Sequence, residues 1–130
     1  MLNKLLVETL TNAGYRVIST EDGFEAWTLI QTCETAEELS RKFECLITDI
    51  EMPAMDGITL SKQIKDSRVY RGLPIIVFSS LVNEALRRKV QSLDINCMVS
   101  KPEIGKLVAA VDNLILYKEN EEEAHKGFII

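Results

Sequence analysis

A chain of 130 residues, 46% of them apolar, fits one compact domain with a core large enough to fold without disulfide staples. A formal net charge of -5 and a pI near 4.9 deny the chain as a whole the basic field that nucleic-acid backbones attract, so direct nucleic-acid binding is not expected. Cys33, Cys45 and Cys97 are odd in number and lack metal-ligand or CxxC spacing, the apolar runs fall far short of the ~20 residues of a membrane helix, and no signal-peptide pattern opens the sequence; a soluble cytoplasmic protein with reduced thiols and no membrane partner is expected.

Leu2, Leu5, Leu6 and Leu10 recur at helical spacing, and Gly14 is placed to end that helix. A strand follows over Tyr15–Ser19, then a turn through Thr20-Glu21-Asp22-Gly23. Phe24, Trp27, Leu29 and Ile30 begin a second helix that the pattern extends toward Phe43 through the polar stretch Thr32–Lys42. Strands are expected at Cys45–Ile50, Ile75–Phe78 and Ile95–Val99, with helices near Ile58–Asp66, Asn83–Leu93 and Glu103–Tyr117. Short, continuously apolar strands alternating with helices make a parallel sheet covered on both faces. Residues 1–118 form this domain, and 119–130 read as an acidic tail that closes on an apolar, strand-like segment.

In such sheets, ligands gather past the carboxyl ends of the strands. Asp49 and Glu51 follow "CLIT", Ser79 and Ser80 follow "PIIVF", and Lys101 follows "CMVS" and precedes Pro102. A carboxylate can attack phosphorus while a hydroxyl and an ammonium hold the equatorial oxygens, so the three strand ends make a phosphoryl-transfer set. Taken singly, each has a plainer reading: a turn acid for Asp49, a helix N-cap for Ser79 or Ser80, a surface lysine for Lys101.

The chain resembles the receiver domain of two-component response regulators, a flavodoxin-like doubly wound α/β fold like that of the chemotaxis regulators. The likeness rests on "ITDIEMPAMDG", "GYRVISTEDGFEAW", "LPIIVFSS" and "VSKP", over about residues 3 to 117. Within the family, Trp27, the polar stretch after it and "FSS" look most like the receiver half of CheV-type chemotaxis coupling proteins. The resemblance implies that Asp49 is the phosphoacceptor, that the Glu51 carbonyl helps bind Mg²⁺ beside Asp49, and that Ser79 and Lys101 hold the phosphoryl group. It further implies a cis peptide before Pro102, a permissive backbone at Gly57 closing the acceptor loop, and phosphoryl transfer from a histidine kinase that changes a docking face. That face belongs to the family's fourth helix, fifth strand and fifth helix; here Arg87, Arg88 and Lys89 lie on the first of these, where a merely solvated face is the plainer reading.

Two departures temper these expectations. Met98 stands where the family has its switch aromatic, so a packing rearrangement replaces an aromatic rotamer change, or Met98 is simply a strand residue. The family's first strand, with the acidic pair that supplies Mg²⁺ ligands, would fall just ahead of Met1, so metal affinity is expected to be weak or absent and phosphorylation impaired. Glu21 and Asp22 belong to a different turn and are not substitutes. A central strand cannot be lost without refilling its slot, and "KGFII", residues 126 to 130, is the candidate filler, from the same chain or exchanged between copies in a dimer.

Three functions follow from this reading: a phosphoacceptor module without substrate turnover; a phosphorylation-independent interaction module; or a phosphatase of the haloacid-dehalogenase type. Glu51, Met52 and Pro53 after Asp49 count against the last. His125, in a polar stretch, reads as solvated.

Overall fold

Asn12 closes the first helix, and Gly14 turns the chain back at φ 98°, a left-handed conformation that glycine adopts without steric cost. The structure, a computed structural model, describes residues 4–49, 55–79, 83–95, 97–100, 104–117 and 127–129. In chain order the elements are α1 (Lys4–Asn12), β1 (Arg16–Ile18), α2 (Gly23–Ile30), α3 (Ala36–Lys42), β2 (Phe43–Thr48), α4 (Gly57–Asp66), β3 (Ile75–Ser79), α5 (Glu84–Ser92), β4 (Cys97–Ser100), α6 (Ile104–Tyr117) and β5 (Gly127–Ile129).

All five strands join one sheet in the order β1-β5-β2-β3-β4, and every pairing is parallel. Side chains alternate between its two faces, as a pleated strand requires. Leu46, Ile75 and Val77 point to one face, where Ala26 and Ile30 of α2, Leu60 and Ile64 of α4 and Val90 of α5 cover them. Cys45, Ile47, Ile76 and Phe78 point to the other, beneath Leu6 and Leu10 of α1 and Leu107 and Val111 of α6. The expected doubly wound α/β architecture is therefore present, and all six residues of β2 are buried because both faces are covered.

The slot reserved for a central strand is filled from within the chain. Gly127, Phe128 and Ile129 pair with Arg16, Val17 and Ile18 of β1 on one side and with Phe43, Cys45 and Leu46 of β2 on the other. Ile129 is completely buried among Ile18's neighbours in the α2/α4 core. Ile130 lies outside the described residues. Glu44 is an extra residue in β2 opposite β5, a bulge that shifts the phase of the strand. As a result Phe43 packs in the α2/α4 core, although Cys45, two residues on, faces α1 and α6.

The long second helix expected from the sequence is instead two helices. α2 stops at Ile30, Cys33 is buried in the turn that follows, and Thr35 starts α3 by accepting a hydrogen bond from the Glu38 N–H at 3.0 Å. The Glu38 carboxylate accepts from the Glu34 N–H at 2.9 Å, completing a reciprocal cap. Tyr70 ties this segment to the body: its hydroxyl donates to the Cys33 carbonyl at 2.9 Å, and its ring meets Trp27 edge-on, centroids 5.6 Å apart.

Candidate functional site

β2 and β3 run side by side and deliver Asp49 and Ser79 to the same end of the sheet. Thr48 pairs with Val77, so Asp49 stands level with Phe78 and Ser79 lies one residue beyond. With strands ~4.8 Å apart and a rise of ~3.3 Å per residue, their Cα atoms are roughly 6 Å apart. Both side chains are in the interior, Asp49 at 4% exposure and Ser79 at 0%. Ser79 therefore ends β3, and the helix N-cap is Asn83, whose Oδ1 accepts the Leu86 N–H at 2.8 Å. The plainer reading of Ser79 as that cap is thus corrected; Ser80 lies outside the described residues.

β4 extends the same edge: Ser100 pairs with Ser79, and Lys101 is the next residue in sequence. Lys101, Pro102 and Glu51 lie outside the described residues, as does the peptide between Lys101 and Pro102. Met98 is half-buried in β4 and packs against the α2/α4 core, two positions before the strand's end.

Two contacts fix the backbone around Asp49. The Thr48 hydroxyl donates to the Asp49 carbonyl oxygen at 3.1 Å. Gly57, first residue of α4, lies so close that a Cβ there would stand 1.9 Å from the same oxygen. The first turn of α4 is fixed by its N-cap, Asp56, which accepts the Thr59 N–H at 2.8 Å, and by the Ser61 hydroxyl, which donates to the Gly57 carbonyl at 2.7 Å. A second glycine presses from the other side, since a Cβ on Gly23 would meet the Met55 carbonyl oxygen at 2.0 Å. The turn after β1 thus abuts the loop after β2. Thr20, in that turn, is buried to 3% exposure.

Thr48 was not among the residues that the sequence singled out, and Thr20 and Gly23 were read only as part of a turn, not of the site. Thr48 could have been found from its place directly before Asp49; the role of Gly23 depends on a contact 32 positions away that no local pattern encodes.

For a divalent cation the described residues are a poor cage. Asp49 is buried at the strand end, but Asp22 spends its carboxylate on the Glu25 N–H at 2.8 Å, and Glu21 is exposed. Among the described residues no group of three His, Cys, Asp or Glu could hold a metal ion. Octahedral Mg²⁺ wants about six oxygens, so Asp49 alone does not fit the ion.

Residues 1–112 match the family described as the response regulator receiver domain. A chemotaxis protein CheY homolog of Campylobacter jejuni is 29% identical over 102 residues, which cover 78% of this chain and 73% of that protein. The gliding motility regulatory protein of Myxococcus xanthus is 27% identical over 103 residues, 78% of this chain but only 12% of that protein, so the chain matches a small part of that longer relative. Among solved structures, the receiver domain of a sensor histidine kinase from Pseudomonas aeruginosa, described with a magnesium ion coordinated in its active-site cleft, superposes with a TM-score of 0.68 at 23% identity, covering 87% of this chain and 88% of that one. No described helix is long and apolar enough to cross a membrane.

Proposed function

The chain belongs to the response regulator receiver domain family, and on that premise we propose that it is a two-component signalling module of the chemotaxis type that accepts a phosphoryl group on Asp49. The observation that carries this reading is that the adjacent strands β2 and β3 bring two buried polar residues, Asp49 and Ser79, to the same end of the sheet. A carboxylate oxygen attacks the phosphorus of a phosphohistidine on the donor kinase. The P–N bond breaks as the P–O bond forms, and the imidazole leaves with its electron pair and takes up a proton. The Ser79 hydroxyl donates to an equatorial oxygen, and Lys101, next after Ser100, is assigned the ammonium that balances the acyl phosphate's charge.

Mg²⁺ is the ion this chemistry uses in the family, and its charge would draw the phosphoryl oxygens toward Asp49. With no group of three metal-ligating side chains among the described residues, we assign weak Mg²⁺ binding and slow phosphorylation. Glu51, through its carbonyl, is the remaining protein ligand in this assignment. Output runs through the face made by α5, β4 and α6, where Arg87, Arg88 and Lys89 are exposed. The Coulombic field of those three cations suits an acidic partner surface.

The same scarcity of acids favours a second reading, an interaction module that works without phosphorylation. Incubation with acetyl phosphate and Mg²⁺ separates the two. A hydroxylamine-labile phosphoryl adduct that maps to Asp49 supports the first, and a folded chain without adduct supports the second. The family membership leaves the haloacid-dehalogenase reading without support.

A further inference from the structure

Phe24 is the large apolar side chain that the described residues leave mostly in solvent, at 60% exposure. We propose that it is a docking contact for the protein phosphodonor: the phosphohistidine-bearing domain of the kinase lays an apolar patch on Phe24, and basic residues beside that patch meet the acidic turn before α2. The proposal rests on Asp49 as the acceptor and adds the surface that selects the donor.

A lone exposed apolar residue is ordinary on a protein surface; the place of this one carries the proposal. α2 begins just past the carboxyl end of β1, and all strands run parallel, so Phe24 stands at the same end of the sheet as Asp49. Helical side chains lean toward the helix N-terminus, which directs Phe24 to that end as well. Described contacts lead from one residue to the other. Gly23, directly before Phe24, abuts the Met55 carbonyl; Met55 lies two positions before Gly57; and Gly57 abuts the Asp49 carbonyl. β5 alone lies between β1 and β2, a lateral separation of ~10 Å. A protein that brings a phosphohistidine to Asp49 covers about 800 Å² of this surface, a disc of roughly 16 Å radius. Centred on Asp49, such a disc reaches across β1 to the first turn of α2. A small-molecule phosphodonor leaves Phe24 uncovered.

The turn that carries Phe24 is already tied. The Glu25 carboxylate accepts the Glu21 N–H at 2.8 Å, the Asp22 carboxylate accepts the Glu25 N–H at 2.8 Å, and the Thr28 hydroxyl donates to the Phe24 carbonyl at 2.9 Å. A backbone held in this way need not be ordered on binding, and an aromatic side chain on it is suited to carry binding energy. Glu21 and Glu25 are exposed on either side of Phe24, and their negative charge complements a basic donor surface.

The test compares two donors on the full chain: acetyl phosphate, and the phosphorylated histidine domain of a chemotaxis kinase, each with Mg²⁺. Phe24→Ser is expected to fold as wild type, because the side chain is exposed, and to be labelled by acetyl phosphate at the wild-type rate, because it touches no reacting atom. With the protein donor its half-saturating concentration should rise roughly tenfold or more at an unchanged maximal rate, the mark of lost docking with intact chemistry. Phe24→Leu, which keeps most of the apolar area, should restore most of that loss. Equal half-saturation for wild type and Phe24→Ser, an equal loss with acetyl phosphate, or a wild-type chain labelled by acetyl phosphate and not by the protein donor would each overturn the proposal. So would a dimer of the chain that Phe24→Ser dissolves, since the side chain would then serve a second copy. A wild-type chain that neither donor labels contradicts Asp49 as the acceptor, and the docking role falls with it.

Discussion

Gly57 lies against Asp49 with no room for a side chain: a Cβ on Gly57 would stand 1.9 Å from the Asp49 carbonyl oxygen and 2.9 Å from the Thr48 hydroxyl oxygen. The start of α4 and the end of β2 thus set each other's position, and the Asp49 backbone depends on a glycine eight residues on. Alanine is the better helix former by ~1 kcal/mol, so propensity alone favours Gly57→Ala. The steric conflict with backbone is the larger effect, and we predict a net loss of about 1–3 kcal/mol together with slower phosphorylation. Urea unfolding of the variant measures the first, and a stabilised Gly57→Ala would show that the close approach is not a constraint.

Asp49 and Ser79 have separable roles. Asp49→Asn removes the nucleophile and should abolish the adduct while leaving the fold intact, because the amide is nearly isosteric. Ser79→Ala removes one donor to the transferring group and should slow adduct formation roughly a hundredfold without abolishing it. Time courses with acetyl phosphate distinguish these outcomes; equal rates for wild type and Ser79→Ala would remove Ser79 from the site.

Tyr15 supplies a pH test far from the acceptor. Its hydroxyl donates to Asp112 Oδ1 at 2.6 Å. Burial, then that hydrogen bond and the negative charges of Asp112 and Glu44, push its ionisation from 10.0 up to about 12. The folded state holds a proton that the unfolded state releases near pH 10. The stability this contributes is therefore complete below pH 10 and is lost as the pH climbs toward 12. Tyr15→Phe should lose less stability than wild type across that window, as read from urea midpoints. Parallel declines would mean that the Tyr15 hydroxyl has no such role.

Cys33 should be chemically quiet. It is fully buried in the turn between α2 and α3, and burial raises its thiol above the usual range, so the reactive thiolate is scarce. Peptide mapping after brief iodoacetamide treatment should find Cys33 unmodified in the native chain and modified in urea. Rapid native labelling would indicate that the α2–α3 turn opens readily.

The shared position of Asp49 and Ser79 was readable in the sequence because both sit at the ends of short apolar strands, and strand ends in a parallel sheet share one edge. Asp49 and Ser79 are adjacent for that reason alone. The filled slot was readable as well: an apolar segment after a glutamate-rich stretch has no use in solvent, and Gly127–Ile129 occupies the sheet. The break between α2 and α3 was missed, although Thr35 and Glu38 carry a capping-box signature; the polar stretch masked it by matching helical composition. The bulge at Glu44 and the Tyr70 bond to Cys33 were beyond reach, since each depends on a partner far along the chain.

The most direct test of the account is fluorine NMR of the chain with beryllofluoride, which mimics a phosphoryl group on a carboxylate, at saturating Mg²⁺. The account predicts protein-bound fluorine signals at one equivalent per chain in wild type and none in Asp49→Asn. Bound signals that persist in Asp49→Asn, or a folded wild-type chain that gives none at saturation, would contradict it.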